Sequence, residues 1–311
     1  MERRVVTVFG GSGFVGRHLV QHLAAEGWVV RVGVRDTERA LFLKVLGQPG
    51  QVVPMPADVT DPGSVARVVE TATAVVNLVG ILYEGGRRTF RRVHVDGAAN
   101  VAQAARAAGV QRLVQMSAIG ADADSPAEYG RTKRAGEIAA QEAFPGASVT
   151  RPSIVFGPED DFFNRFAGMA RFMPALPAFD TRFQPVYVGD VAEAITRILK
   201  DPATAGRTYE LGGPQVLSFR QLMQMMLDET GRSRFLLPLP LGVAEFEAWF
   251  LEKLPKPLLT RDQVALLRRD NVVAPGALTL ADLGIQPTAL AAILPGYLFR
   301  YRPQAKLNRR A

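Results

Sequence analysis

Between Val5 and Thr150, short runs of β-branched and apolar residues alternate with longer stretches in which apolar positions return every three or four residues. The short runs predict strands at Val5–Phe9, Val29–Val34, Val52–Pro56, Ala74–Val79, Arg112–Ser117 and Ala147–Thr150. The periodic stretches predict helices at Phe14–Glu26, Glu38–Leu46, Pro62–Thr71, Phe90–Ala108 and Glu128–Ala143. Strands joined by helical crossovers pair in parallel, and a parallel sheet needs helices on both faces. The expected fold is therefore α/β, a Rossmann-like doubly wound parallel sheet whose ligand crevice lies beyond the carboxyl ends of its strands.

After Arg151-Pro152 the alternation fades and the proline and aromatic content rises. Phe162, Phe163, Phe166, Phe172 and Phe179 crowd a stretch broken by Pro174 and Pro177, and helical patterns return at Val191–Lys200 and Phe219–Thr230. Residues 1–150 are expected to form an NAD(P)-binding domain. Residues 151–311 are expected to combine returning Rossmann elements, a smaller discontinuous C-terminal cap facing substrate or partner, and a basic C-terminal tail.

Composition narrows the function. At 311 residues and 48% hydrophobic content, the chain has ample material for a core. It has no cysteine, which excludes disulfides, thiolate metal sites and a cysteine nucleophile. His18 and His22 are one helical turn apart without a third ligand, so no metal is expected. Met1-Glu2-Arg3-Arg4 enters the first strand without the apolar run of a signal peptide, and no 18-residue apolar run suits a membrane span, so a cytosol-like compartment is expected. The net charge of +7 suits an anionic partner such as a membrane surface. No nucleic-acid module is recognisable, and nucleic acid is not an expected partner.

The chemistry begins at Gly10-Gly11-Ser12-Gly13-Phe14-Val15-Gly16, between the first strand and the first helix. A diphosphate binds against N–H groups at a helix N-terminus, and a Cβ at Gly10 or Gly13 would block the turn or the approach. Gly16 lets the helix pack closely on its strand, and Ser12, Phe14 and Val15 complete the candidate phosphate turn. Arg35, just past the second strand, suits the 2′-phosphate of NADP(H), whereas Asp36 suits the ribose hydroxyl of NAD(H). A guanidinium fork matches phosphate well, so NADP(H) is favoured, with NAD(H) as the alternative. Asp58-Val59 are placed to meet adenine, or else belong to a helix-capping network with Asp61. Asn77, Val79 and Gly80, at the end of the fourth strand, would run beside the cofactor, with Gly80 permitting close backbone approach.

Ser117 ends the fifth predicted strand, and Tyr129 and Lys133 stand one turn apart on the next helix. A cation beside a phenol lowers its pKa toward proton transfer. In that arrangement Tyr129 is the acid/base, Lys133 also holds ribose, and Ser117 orients a carbonyl or hydroxyl. The same set also suits a dinucleotide held without turnover.

With the glycine loop, Asp58-Val59, Asn77–Gly80, Ser117, Tyr129, Lys133 and Arg151-Pro152 in this order, the chain resembles an atypical or extended short-chain dehydrogenase/reductase. Within that superfamily it is most similar to the nucleotide-binding accessory subunits of respiratory complex I and their bacterial homologues. The narrower resemblance rests on Arg151-Pro152-Ser153-Ile154-Val155-Phe156-Gly157-Pro158-Glu159-Asp160 and Phe163-Asn164-Arg165-Phe166-Ala167. It continues through Gln184-Pro185-Val186-Tyr187-Val188-Gly189-Asp190-Val191 and Leu259-Thr260-Arg261-Asp262-Gln263-Val264. The resemblance implies a bound NADP(H) that supports the fold, with Pro152 among its neighbours, and no established turnover. It also implies a peripheral place beside complex I subunits near the quinone-access region, on the cytoplasmic face of a bacterial inner membrane or the equivalent matrix face. One departure is His94, where extended reductases commonly carry asparagine, and it weakens the carry-over of a proton relay. The rival function is an NAD(P)-dependent reductase or epimerase acting on a small carbonyl or quinone-related substrate; a nucleotide-binding redox regulator is a third.

Three surface stretches remain. The tail from Tyr297 to Ala311 carries Arg300, Arg302, Lys306, Arg309 and Arg310 beside Tyr297, Phe299 and Tyr301, which suits either a lipid headgroup interface or a solvated basic tail. Arg87, Arg88, Arg91 and Arg92 form a second cluster for phosphate or a partner. Leu236–Leu259, with Trp249 and Phe250, is either a contact surface or core.

Overall fold

The computed structural model describes residues 4–253, 257 and 259–303. Lys306, Arg309 and Arg310 of the predicted basic tail, and residues 254–256 and 258 of the Leu236–Leu259 stretch, lie outside the described residues.

The first half runs β1 (Val5–Phe9), α1 (Phe14–Ala25), β2 (Val29–Val34), β3 (Val52–Pro56), α2 (Pro62–Val69), β4 (Ala74–Asn77), α3 (Gly97–Ala107), β5 (Arg112–Met116), α4 (Glu128–Ala143) and β6 (Ser148–Pro152). The second half continues with β7 (Val155–Phe156), α5 (Phe162–Met169), β8 (Ala175–Ala178), β9 (Arg182–Phe183), β10 (Val186–Tyr187), α6 (Val188–Lys200) and β11 (Thr208–Leu211). It closes with β12 (Leu217–Ser218), α7 (Phe219–Thr230), β13 (Phe235–Pro238), α8 (Leu241–Leu251), α9 (Arg261–Leu266) and α10 (Leu290–Leu298).

Seven parallel strands form one sheet in the order β3-β2-β1-β4-β5-β6-β11. The chain works outward from β1 to β3, then returns to β4 on the other side of β1. This reversal opens a crevice at the carboxyl ends of β1 and β4, where a ligand meets no crossing chain. One face is covered by α1 and α6 around Leu19, Leu23, Val191 and Ile195, the other by α2, α3 and α4 around Val65, Val101 and Ala140. The expected doubly wound sheet is thus the observed one.

Two helices differ from expectation. Residues Glu38–Leu46 form a 3₁₀ segment, because only Ala40 and Leu43 find buried positions. The expected helix at Phe90–Ala108 is interrupted: Arg91–Asp96 is a π-turn ahead of α3. Gly136 of α4 packs so closely on the His94 carbonyl that a Cβ would overlap it, and the wider turn brings the His94 side chain inward.

Residues after Arg151 serve two cores. α6 and β11 return to the main sheet, while Phe156, Phe163, Phe179, Leu222, Met226 and Leu294 belong to a separate cluster. Phe219 is its hub, with edge-on contacts to Phe162, Phe166 and Phe179 at centroid distances of 5.7, 5.4 and 5.1 Å.

Candidate functional site

The glycine turn lies at the reversal point. Gly10 has φ +78°, and a Cβ there would stand 3.3 Å from Leu78 C and Val79 N at the end of β4. A Cβ on Gly16 would overlap Gly10 O, so α1 seats directly on the turn. Gly11, which sequence reasoning left without a role, is held by packing: its Cβ would lie 2.5 Å from Val32 Cγ1. Gly13 is different, since it is exposed and only Gly10 O, at 3.2 Å, limits a side chain there. It is also the N-cap of α1 and supplies no side-chain cap. The turn therefore offers a bare helix N-terminus to an anion, as a dinucleotide diphosphate requires. Ser12 is half-buried there, and its carbonyl accepts from Arg17 at 3.5 Å. Phe14 is half-buried and edge-on to His18, and Val15 is buried.

Arg35 and Asp36 both end exposed beyond β2, with different engagements. Asp36 is turned onto Arg39, accepting its N–H at 3.1 Å and pairing with its Nε at 3.2 Å. Arg35 faces Arg88: burial first, then the Arg35 guanidinium, lowers the Arg88 pKa, with Asp58 opposing. Arg88 thus lies within electrostatic reach of Arg35 and Asp58, which follow β2 and β3. Asp58 Oδ1 accepts from Thr60 N and Oγ1 at 2.9 and 2.8 Å, while Asp61 caps α2 through Gly63 N. The capping network therefore exists, and Val59 is buried with its carbonyl on Asn100 Nδ2 at 2.9 Å. Asn77 is buried, giving Nδ2–H to Gln115 and accepting from Val79 N at 3.1 Å.

A Cβ at Gly80 would make ordinary contacts, 3.6 Å from His94 Nε2 and 3.7 Å from Lys133 Nζ. Gly80 therefore marks where the ring and the ammonium meet, and its backbone is not forced to be glycine by space. Lys133 Nζ donates to Met116 O at 2.8 Å, and burial lowers its pKa to about 8 against the pull of Glu137. Ser117 is buried beside Glu137 and helps hold that carboxylate ionised, although its Oγ has no partner at full hydrogen-bond geometry. Pro152 is buried at the end of β6 and accepts from Ile119 N at 3.0 Å.

Tyr129 corrects an expectation. Burial, and behind it the Asp262 carboxylate, pushes its phenol up to about 12, not down. Its ring packs edge-on against Phe90 and His94, at 6.1 and 5.4 Å between centroids, in a small apolar cluster with Ile81 and Val93. Lys133 is spent on a carbonyl and does not activate the phenol. His94 is equally committed: Nε2 accepts from Ile81 N at 3.1 Å and Nδ1 bonds Thr132 Oγ1 at 3.0 Å. Burial, then Lys133, lowers its pKa to about 3, so the ring is neutral with its proton on Nδ1.

Sequence reasoning missed Glu137, although its place four residues beyond Lys133 puts it on the same helix face. Its carboxylate takes Arg151 Nε and NH2 at 2.8 and 2.6 Å and Arg134 NH1 at 2.8 Å. Burial pushes the carboxyl up, but these partners outweigh it and hold it low. Arg151 continues to Glu210 across the β6–β11 pair at 3.4 Å.

The second-half motifs act as pins, Asp160 within the second core and Asp190 between α6 and the segment ahead of α10. Asp160 receives N–H groups of Gly157, Phe163 and Asn164 and the Tyr297 hydroxyl at 2.5 Å. Asp190 receives Thr288 N and Oγ1 at 2.7 and 2.8 Å. The described part of the tail is likewise corrected: Tyr297 is buried, Tyr301 donates to Asn164, and Arg300 reaches Pro158 O. Tyr297 and Tyr301 belong to the cap, not to a free interfacial tail. Among the described residues, no helix is long and apolar enough to cross a membrane.

Residues 10–145 match the NAD(P)H-binding family model. The chain is similar to NADH dehydrogenase (ubiquinone) 1 alpha subcomplex subunit 9, mitochondrial, of Arabidopsis thaliana, at 37% identity over 313 residues, covering 96% of this chain and 78% of that protein. It is also similar to ceramide reductase of Caulobacter vibrioides, at 34% identity over 202 residues, covering 64% of this chain and 62% of that one. In fold it matches the crystal structure of Citrobacter sp. triphenylmethane reductase complexed with NADP(H), with a TM-score of 0.73 at 18% identity, covering 95% of this chain and 100% of that one.

Proposed function

Because the chain belongs to the family of NADH dehydrogenase (ubiquinone) 1 alpha subcomplex subunit 9, we propose that it is an NADP(H)-binding accessory subunit of complex I. In this reading it sits peripherally at the membrane, and the nucleotide steadies the fold without being turned over. The observation that carries it is the condition of Tyr129, whose phenol is pushed up to about 12 and stands in an apolar cluster beside a neutral, fully bonded His94. A proton donor for reduction would need the opposite environment.

The glycine turn would take the diphosphate, Lys133 the ribose, and Arg35 with Arg88 the 2′-phosphate. Asp36, already paired with Arg39, is poorly placed to favour NAD(H). A reduced dinucleotide supplies a nicotinamide hydride; the residues here supply its cradle.

Docking is supported by α8, whose apolar face is inverted. Ala244 and Ala248 point inward while Phe246, Trp249 and Phe250 are 65%, 42% and 53% exposed. Lys253 Nζ stands 3.7 Å over the Trp249 ring. Aromatic rings beside a cation suit a headgroup interface or an apolar subunit face.

A reductase reading is favoured by the similarity to ceramide reductase and by the gathering of Tyr129, Lys133 and His94 at Gly80. Isolation of the respiratory complex from the source cells separates the two. Co-isolation of this chain supports the accessory role; a chain found only free, with NADPH oxidation lost in Tyr129→Phe, supports the reductase.

A further inference from the structure

The first turn of α4 lacks a local cap, because Ala127 stands at the N-cap position. Its acceptor comes from far along the chain. Asp262 Oδ1 takes Glu128 N–H at 2.5 Å and Oδ2 takes Tyr129 N–H at 3.1 Å. The first turn of α9 is served by its own capping box, Thr260 with Gln263, which leaves both Asp262 oxygens for α4.

The residues that follow are tied to the same rim. Arg269 bonds Asp122 Oδ2 at 2.9 Å and Asp124 O at 3.2 Å, and Asn271 Nδ2 bonds Ile119 O at 3.2 Å. All these partners lie in the connection from β5 to α4, at the carboxyl edge of the sheet where the crevice opens. Further on, Val273 N reaches Gln184 Oε1 at 3.0 Å and Ala274 N reaches Glu210 Oε2 at 2.8 Å. Within 260–274, Val264 is buried in the second core and Leu267 packs against it; the remaining ties are polar contacts that water can replace, and these open at lower cost than packed core.

We propose that residues 260–274 are a strap over the nucleotide crevice, and that Asp262 is the positioning residue coupling its closure to α4. With the strap shut, α4 is capped, and Tyr129 and Lys133 are held at Gly80. With the strap lifted, the first turn of α4 loses both acceptors and the crevice opens for the nucleotide to leave. The retention of nucleotide rests on the functional reading above, whereas the coupling of strap to helix does not.

Amide hydrogen exchange on the full chain tests the coupling. Asp262→Ala speeds exchange at 128–131 and at 265–271 together, by about tenfold, the factor that corresponds to roughly 1.4 kcal/mol. Asp262→Asn, which keeps an acceptor, restores most of the protection. Arg269→Ala, which never touches α4, also speeds exchange at 128–131. If Arg269→Ala affects only its own segment, or Asp262→Ala leaves α4 unchanged in a folded protein, the coupling is overturned. In parallel, NADPH release into excess NADP⁺ quickens about tenfold in Asp262→Ala, and an unchanged release rate overturns the strap as the element that retains nucleotide. Wild-type protein that binds no dinucleotide overturns the functional reading, while the exchange pattern still decides the coupling.

Discussion

The Ile81 N–H donates to His94 Nε2 at 3.1 Å, and that one bond fixes the proton of the ring on Nδ1, where Thr132 takes it. The ring is neutral because it is buried and faces Lys133, which together lower its pKa from 6.5 to about 3. Free in the unfolded chain, His94 takes up a proton near pH 6.5, but in the folded protein it does so only near pH 3. Its contribution to stability is therefore complete above pH 6.5 and is lost progressively as pH falls toward 3. The unfolding free energy from urea titrations across this window should fall by up to roughly 1.4 kcal/mol per pH unit from this group. His94→Asn should flatten the slope, and an unchanged slope would remove His94 from the account.

Arg35 and Arg88 are expected to act as a pair on the 2′-phosphate. Arg35→Ala and Arg88→Gln should each weaken NADPH binding by about tenfold or more, the loss of one charge-assisted bond, while NADH binding changes little. Titration by NADPH fluorescence checks this, and equal losses for both nucleotides would contradict it.

Glu137 joins two guanidinium groups, those of Arg134 and Arg151, in a buried place, whereas the Lys200–Glu26 pair at 2.8 Å is solvated. Glu137→Gln leaves the Arg151 guanidinium short of its anion and should cost about 3–5 kcal/mol of stability. Lys200→Ala should cost less than about 1 kcal/mol. Chemical denaturation of the two variants side by side measures the difference.

The exposed rings of α8 should matter for docking and little for folding. Replacing Phe246, Trp249 and Phe250 with serine should leave the unfolding free energy within about 0.5 kcal/mol per site. Cosedimentation with anionic vesicles, or recovery with the respiratory complex, should fall by about tenfold or more. Retained binding with lost stability would make α8 a core element.

Much of this was legible in the sequence where burial is local. Strands β1, β2 and β3 begin and end where the apolar runs do, since each is a central or flanking parallel strand bounded by turn residues. Strand β11 was not legible: four residues that include Glu210 become a strand only by pairing with β6 and meeting Arg151. The inward turn of His94 depends on Gly136 of another helix. The cap on α4 depends on Asp262, 134 positions from Glu128. The residue types at the candidate site could be named from spacing, but the state of Tyr129 could not. Whether a lysine one turn away lowers a phenol depends on what else that lysine holds, here the Met116 carbonyl.

The most direct measurement is to purify the protein, denature it, identify and quantify the released nucleotide, and offer the native protein candidate quinones and carbonyls while following NADPH absorbance. The account predicts near-stoichiometric NADP(H) that survives purification and is not oxidised by any of them. Rapidly exchanging nucleotide, with oxidation that depends on substrate and disappears in Tyr129→Phe, would contradict it.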